Sequence, residues 1–156
     1  MKILSLDQLR TERDRLRQAG KKVVFTNGHF DLLHAGHLNY LQAARKLGDA
    51  LFLGLNGDAS TRRLKGEGRP LVPAAERAQL LEALRPVTAV IIFEEDTADR
   101  LIELLKPDIY VKGGDYQHKV LPERDLVESL GGEVVLIDLV PERSTSALIA
   151  KIKALP

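Results

Sequence analysis

Cysteine is absent from this 156-residue chain. That excludes disulfides, thiolate zinc sites, iron–sulfur clusters and cysteine nucleophiles, so any metal must use oxygen or imidazole ligands. It also fits a reducing compartment. An excess of one charge is missing too, since 23 Lys and Arg stand against 22 Asp and Glu and leave a net charge of +1. Coating a polyphosphate backbone needs a large local excess of cations, so no nucleic-acid partner is expected. No apolar run is long enough to span a bilayer, and Met1-Lys2-Ile3-Leu4-Ser5-Leu6-Asp7 leads into charged sequence rather than a signal-peptide core. These absences predict a cytoplasmic chain with no membrane partner. What is present, 44% hydrophobic and 29% charged residues, suffices to bury a core and cover it. The length is that of one domain, residues 1–156, with a leading helix in 1–20 and the core in 21–156.

Five apolar runs are too short for typical helices and too continuous for half-exposed strands: Val23–Phe25, Leu51–Leu55, Val87–Phe93, Ile109–Val111 and Val134–Ile137. They read as buried parallel strands. Helical spacing fills the intervals. An opening helix covers Leu6 to Arg17, and a second runs from Gly36 to Leu47 before Gly48. Another is opened by Pro73 and closed before Pro86, one runs from Asp96 to before Pro107, and one is opened by Pro122 and closed at Gly131-Gly132. Ser144 caps a last helix. The alternation predicts an α/β fold, a Rossmann-like doubly wound sheet of five parallel strands with helices on both faces. Ligands of such sheets bind beyond the carboxyl ends of the strands. Gly57 to Val72, glycine-rich and basic, reads as a mobile functional loop on that rim.

Four clusters fall on the same rim. After the first strand comes Thr26-Asn27-Gly28-His29-Phe30-Asp31-Leu32-Leu33-His34-Ala35-Gly36-His37, which contains neither G-x-G-x-x-G nor a P-loop. His34 and His37 lie three residues apart at a helix start, a spacing that turns both imidazoles to one side, where first-turn N–H groups favour phosphate. Gly36 between them leaves the backbone open to a ligand. The alternatives are a capping histidine with a chance neighbour, or a zinc site with His29 as third ligand. The second cluster, Arg62, Arg63, Lys65 and Arg69, is either a solvated charge run or a hinged cover in which Lys65 closes on a polyphosphate. The third, Arg143-Ser144-Thr145-Ser146, is either an anion site at a helix start or an ordinary cap. The fourth, Lys112-Gly113-Gly114-Asp115, is either a tight approach to a ligand or an ordinary turn. Arg77, on the helix after Pro73, either pairs a substrate phosphate or lies on the surface beside Glu76 or Glu82.

These residues resemble the H-x-G-H nucleotidyltransferases, whose Rossmann-like fold is related to that of class I aminoacyl-tRNA synthetases. Within them, Phe30 to His37, Asp58-Ala59-Ser60 through Lys65-Gly66-Glu67-Gly68-Arg69-Pro70, and Lys112-Gly113-Gly114-Asp115-Tyr116 look like the group that makes ADP-heptose. The likeness spans roughly Lys22 to Ile152. It implies ATP and D-glycero-β-D-manno-heptose 1-phosphate as substrates, ADP-heptose and pyrophosphate as products, and a place in lipopolysaccharide biosynthesis. It also implies a sugar kinase acting upstream, which many members carry fused, and a homo-oligomer, most simply a dimer. Alternatives are a cytidylyltransferase using CTP and a polyol phosphate such as glycerol 3-phosphate, and a nucleotide-binding module without catalysis. The chain departs from the heptose group at His29, usually cysteine, at Gly57, usually serine, and along Gln117 to Pro122. It also departs at Glu142-Arg143, where a glycine and another residue are usual.

From that resemblance, the expected reaction is in-line attack by the sugar phosphate on the α-phosphorus. His34, His37 and Lys65 act on the reacting phosphates. Thr26, Asn27, Gly28, His29, Phe30, Gly36, Lys112, Gly113, Arg143, Ser144, Thr145 and Ser146 bind nucleotide, while Asn56, Asp58, Arg69, Arg77 and Asp115 bind the acceptor. Mg²⁺ is expected to arrive with ATP, held by phosphate oxygens and water and not in a dedicated protein site, with Asp31 as a candidate local ligand.

Overall fold

A computed structural model describes residues 2–117, 119–138, 141 and 144–156. In chain order the elements are α1 (Leu6–Gln18), β1 (Val23–Gly28), α2 (Ala35–Arg45), β2 (Ala50–Asn56), α3 (Asp58–Lys65), α4 (Ala74–Ala83) and β3 (Ala89–Phe93). There follow α5 (Asp99–Leu105), β4 (Ile109–Gly113), a 3₁₀ turn (Gly114–Gln117), α6 (Arg124–Ser129), β5 (Glu133–Ile137) and α7 (Thr145–Lys153). The strands form one parallel sheet in the order β3-β2-β1-β4-β5. This is the doubly wound Rossmann-like architecture expected, and all five apolar runs are its strands.

Side chains alternate across each strand, so successive residues serve opposite faces. Val23, Phe25, Phe52 and Tyr110 pack with Leu9 and Leu16 of α1, Leu101, Ile102 and Leu105 of α5, and Val127 of α6. Val24, Leu51, Leu53, Leu55 and Val111 pack instead with Leu41 and Ala44 of α2 and with Ala78 and Leu81 of α4. Both faces are therefore covered, which is why the runs are continuously apolar. The chain steps outward from β1 through β2 to β3, then crosses to β4 and β5 on the other side of β1. That reversal opens a crevice between the carboxyl ends of β1 and β4. Among the described residues, no helix is long and apolar enough to cross a membrane.

One expectation is corrected. Residues 58–65, read as part of an irregular loop, form α3, and only the stretch from Gly66 to Pro73 is irregular. The helix has Asp58 in its first turn and Arg62, Arg63 and Lys65 in its last, an order that suits the helix dipole. It buries Ser60 and Thr61 rather than large apolar residues, so hydrophobic periodicity gives it no signal.

Candidate active site

The ends of β1 and β4, the start of α2, the 3₁₀ turn and the start of α7 enclose a cavity of about 310 Å³. Asn27 and Gly28 end β1, His29 and Phe30 follow it, and Lys112 and Gly113 end β4. His34, Gly36 and His37 come from the start of α2, and Ser144 and Thr145 from the start of α7. Three of the four sequence clusters thus meet at one place, at the switch point where a parallel sheet binds ligands.

His34 is the N-cap of α2, but its side chain makes no capping hydrogen bond, so the capping alternative does not describe this ring. The His34 and His37 rings stack instead, with centroids 3.9 Å apart and planes at 26°. Phe30 backs His37 at 5.2 Å, and its own backbone takes the left-handed conformation (φ 46°). A Cβ on Gly28 would stand 3.0 Å from the Phe30 ring, so glycine there lets the aromatic side chain close over β1. Burial, then the neighbouring His34, lowers the His37 pKa to about 4, which leaves the ring neutral at pH 7. Its buried Nδ1 has no hydrogen-bond partner among the described residues. A buried polar atom of that kind is costly unless a ligand completes it. Burial and the charges of Lys65, Arg77, Lys112 and Arg69 likewise lower the His29 pKa to about 4.

Lys112 Nζ donates to the Asn27 carbonyl at 3.3 Å and lies over the rings of Tyr110 and Tyr116. Across the cavity, Ser144 Oγ accepts from Ala147 N at 3.0 Å, so this residue caps α7 and lines the pocket at once. Thr145 Oγ1 donates to the Leu32 carbonyl. Thr26 sits just below, fully buried, donating to the Val111 carbonyl and sharing a 2.7 Å hydrogen bond with Tyr40. It supports the wall without lining it. Two tyrosines also line the cavity: Tyr116, which closes the Lys112-Gly113-Gly114-Asp115-Tyr116 string, and Tyr40, not singled out from sequence. Tyr40 lies one helical step beyond His37, and extending the 34–37 spacing would have found it.

Other expected residues stand elsewhere. Arg77 is neither a surface residue nor free for a phosphate: it is wholly buried. Its guanidinium donates to the carbonyls of Val72, His29 and Asn56 and pairs with Asp58 at 2.8 Å. It joins the ends of β1 and β2 to α3 and α4. Asp58 also accepts from Ala74 N, and Asn56 turns inward to Ser60. Arg77 is thus consumed by protein partners, with Asp58 Oδ1 and the Asn56 carbonyl among them, while the Asp58 side chain stays 43% exposed. Asp31, 2% exposed, accepts Arg69 Nε and the backbone N–H groups of Leu71 and Val72. Its oxygens are engaged, which removes it as a magnesium ligand. Arg69 and Ser146 line a separate groove of about 520 Å³ with Leu71, Ile149 and Lys153. Lys65 ends α3 ahead of Gly66 (φ 95°). The side chain of Asp115, and Glu142 and Arg143, lie outside the described residues. Among the described residues, no three His, Asp or Glu side chains are placed to hold a metal, so the zinc alternative finds no ligand set.

The family model described as cytidylyltransferase-like matches residues 25–152. The chain belongs to that family. Membership agrees with the H-x-G-H resemblance and makes the chain a nucleotidyltransferase by family. It is 56% identical over 151 residues to the bifunctional protein HldE of Syntrophotalea carbinolica (strain DSM 2380 / NBRC 103641 / GraBd1), covering 97% of this chain and 31% of that protein. The HldE of Hahella chejuensis (strain KCTC 2396) is 47% identical over 150 residues, covering 96% and 31%. The chain therefore spans about a third of the length of these curated relatives. Among solved structures, the lipopolysaccharide core biosynthesis protein from Thermoplasma volcanium GSS1 superposes with a TM-score of 0.63 at 31% identity, over 78% of this chain and 98% of that one. The pantoate-β-alanine ligase of Francisella tularensis, solved with a β,γ-ATP ligand and β-alanine, gives 0.65 at 16% identity over 94% and 69%, a likeness of fold.

Proposed function

We propose that this chain transfers the adenylyl group of ATP to a sugar 1-phosphate, D-glycero-β-D-manno-heptose 1-phosphate, releasing pyrophosphate and ADP-heptose. The observation that carries the reaction class is the stacked His34–His37 pair at the amino end of α2, facing Lys112 and the start of α7 across one cavity. The heptose acceptor is supported by the identity to HldE proteins and by the likeness to the Thermoplasma lipopolysaccharide core biosynthesis protein.

An oxygen of the acceptor phosphate attacks the α-phosphorus in line, forming the new P–O bond as the bond to the β-phosphate oxygen breaks. The nucleophile is already ionised at neutral pH, so the site needs no strong base; it has to align two anions and offset their repulsion. The imidazoles and the first-turn N–H groups of α2 donate to the reacting phosphates. Ser144, Thr145 and the backbone at the start of α7 receive the leaving phosphates, with Ser146 and Arg143 flanking. Lys65 closes over the phosphates from the end of α3, Gly66 serving as hinge. Gly28, Gly36 and Gly113 admit the nucleotide to the backbone. Arg69 and Asp115 serve the acceptor side. Mg²⁺ carried by the triphosphate would be held by phosphate oxygens and water and would neutralise phosphate charge there. A cytoplasmic homodimer supplied by a separate sugar kinase completes the reading.

Pyrophosphate release tests it, with ATP or CTP across a panel of sugar 1-phosphates and polyol phosphates. Release with ATP that depends on heptose 1-phosphate is expected. Preference for CTP with glycerol 3-phosphate replaces this reading with a cytidylyltransferase one, and nucleotide binding without acceptor-dependent release replaces it with a sensor.

A further inference from the structure

Helix α3 buries no large apolar side chain, and Leu64 on it stays 47% exposed, so polar contacts rather than a hydrophobic face hold it to the sheet. Its amino end is held in an unusual way. The N-cap is Gly57, which has no side chain to accept from the first-turn N–H groups. Glu94, just past the end of β3, supplies the acceptor instead, its Oε2 receiving Ser60 N at 2.9 Å. Ser60 is the third residue of the helix, and its N–H is the one an N-cap serine ordinarily serves. A Cβ on Gly57 would overlap the Glu94 carboxylate, so glycine here makes room for a cap that comes from another strand. Two further contacts join the same segments. Gly57 N donates to the Phe93 carbonyl at 2.7 Å, and Arg63 donates to the Glu94 carbonyl and pairs with Asp96 at 2.8 Å.

We propose that Glu94 is a positioning residue for Lys65: as the cap of α3 it fixes the helix whose last residue is Lys65, and so the place from which that ammonium reaches the phosphates. A carboxylate at the amino end also suits the helix dipole. Because α3 has eight residues and owes little to apolar burial, loss of this acceptor frays its first turn and lets the helix shift on the sheet. Glu94 does not line the cavity, so it acts through the helix and not on the substrate. The inference rests on the reading that Lys65 closes over a nucleoside triphosphate.

Amide hydrogen exchange of the whole chain reads the cap without any ligand. Exchange at Ser60 N–H is expected to quicken about 3- to 10-fold in Glu94→Ala, the range of one lost cap, and to stay within about twofold in Glu94→Gln, whose amide oxygen still accepts. Adding Gly57→Ser to Glu94→Ala should restore protection, because a serine hydroxyl then takes the vacated place. Unchanged exchange in Glu94→Ala overturns the proposal. Pyrophosphate release from ATP with heptose 1-phosphate, measured well below the melting temperature of each variant, then tests the consequence. Glu94→Ala is expected to lower kcat about 3- to 10-fold with little change in KM for ATP, and Gly57→Ser to recover most of that loss. In a Lys65→Ala background, Glu94→Ala should cost nothing further. Native turnover in Glu94→Ala, or equal losses in both backgrounds, overturns the proposal, since Glu94 would then serve stability alone or act apart from Lys65. A native chain without acceptor-dependent release overturns the Lys65 role together with the proposed function; exchange at Ser60 still decides what caps α3.

Discussion

Arg69 Nε meets the Asp31 carboxylate at 2.7 Å, and the same carboxylate receives the backbone N–H groups of Leu71 and Val72. One buried anion thus fastens the segment after α3 to the turn that leads into His34. Burial pushes its carboxyl up, but the hydrogen bonds from Leu71, Val72 and Arg69 outweigh this and hold its pKa below the usual range. Asp31→Ala strands two N–H groups and a largely covered guanidinium. A loss of about 2–4 kcal/mol in urea unfolding is expected. Undiminished stability would show that the anchor is dispensable.

His37→Ala should lower turnover by about 10²–10³ while leaving the circular dichroism spectrum and melting temperature close to native, because the ring faces a cavity and its Nδ1 bonds nothing described. Steady-state kinetics with the right acceptor provide the check, and native turnover would remove His37 from the chemistry.

Lys65→Ala should reduce turnover about tenfold or more with little change in stability, since the side chain is exposed at the end of α3 and its charge matters only once phosphates arrive. Unfolding and kinetic measurements on one preparation separate the two effects.

Arg77→Lys should behave nearly as badly as Arg77→Met. The guanidinium serves three carbonyls and Asp58 at once, a fan of donors that one ammonium cannot reproduce. A loss of about 3 kcal/mol or more is expected for either change. A stable Arg77→Lys chain would mean that the carbonyls find other donors.

Stability should fall as pH drops from about 6.5 toward 4. Unfolded histidine takes up its proton near 6.5, whereas His29 and His37 in the fold resist protonation until about 4. In that window the unfolded chain binds more protons, so stability rises with pH there. Asp31 adds the same sign at lower pH: its stabilisation is complete above the unfolded carboxylate pKa and is lost as pH falls through its depressed folded value. Urea titrations from pH 4 to 8 read the slope, which His37→Gln should flatten. Triphosphate binding favours the charged imidazole, so proton uptake is expected on adding Mg–ATP near pH 5.5, measurable by calorimetry in two buffers.

Periodicity and punctuation suffice for most of the architecture. Continuous apolar runs mark all five strands because both faces of the sheet are covered, and Gly48, Pro86 and Gly131-Gly132 lie just beyond helix ends. Helix α3 escapes such reading because it is short, basic and buries hydroxyls. The His34–His37 spacing, by itself, locates the heart of the pocket.

The order of residues therefore determined the sheet, the helices around it and the histidine turn, since these follow from local spacing and from burial on two faces. Only the tertiary structure decided which polar groups face the cavity and which are consumed inside the protein. Arg77 and Asp31 looked as available as Lys112, but their partners come from segments distant in the chain. A charged side chain's role depends on which oxygens surround it, and that is set by packing, not by its neighbours in sequence.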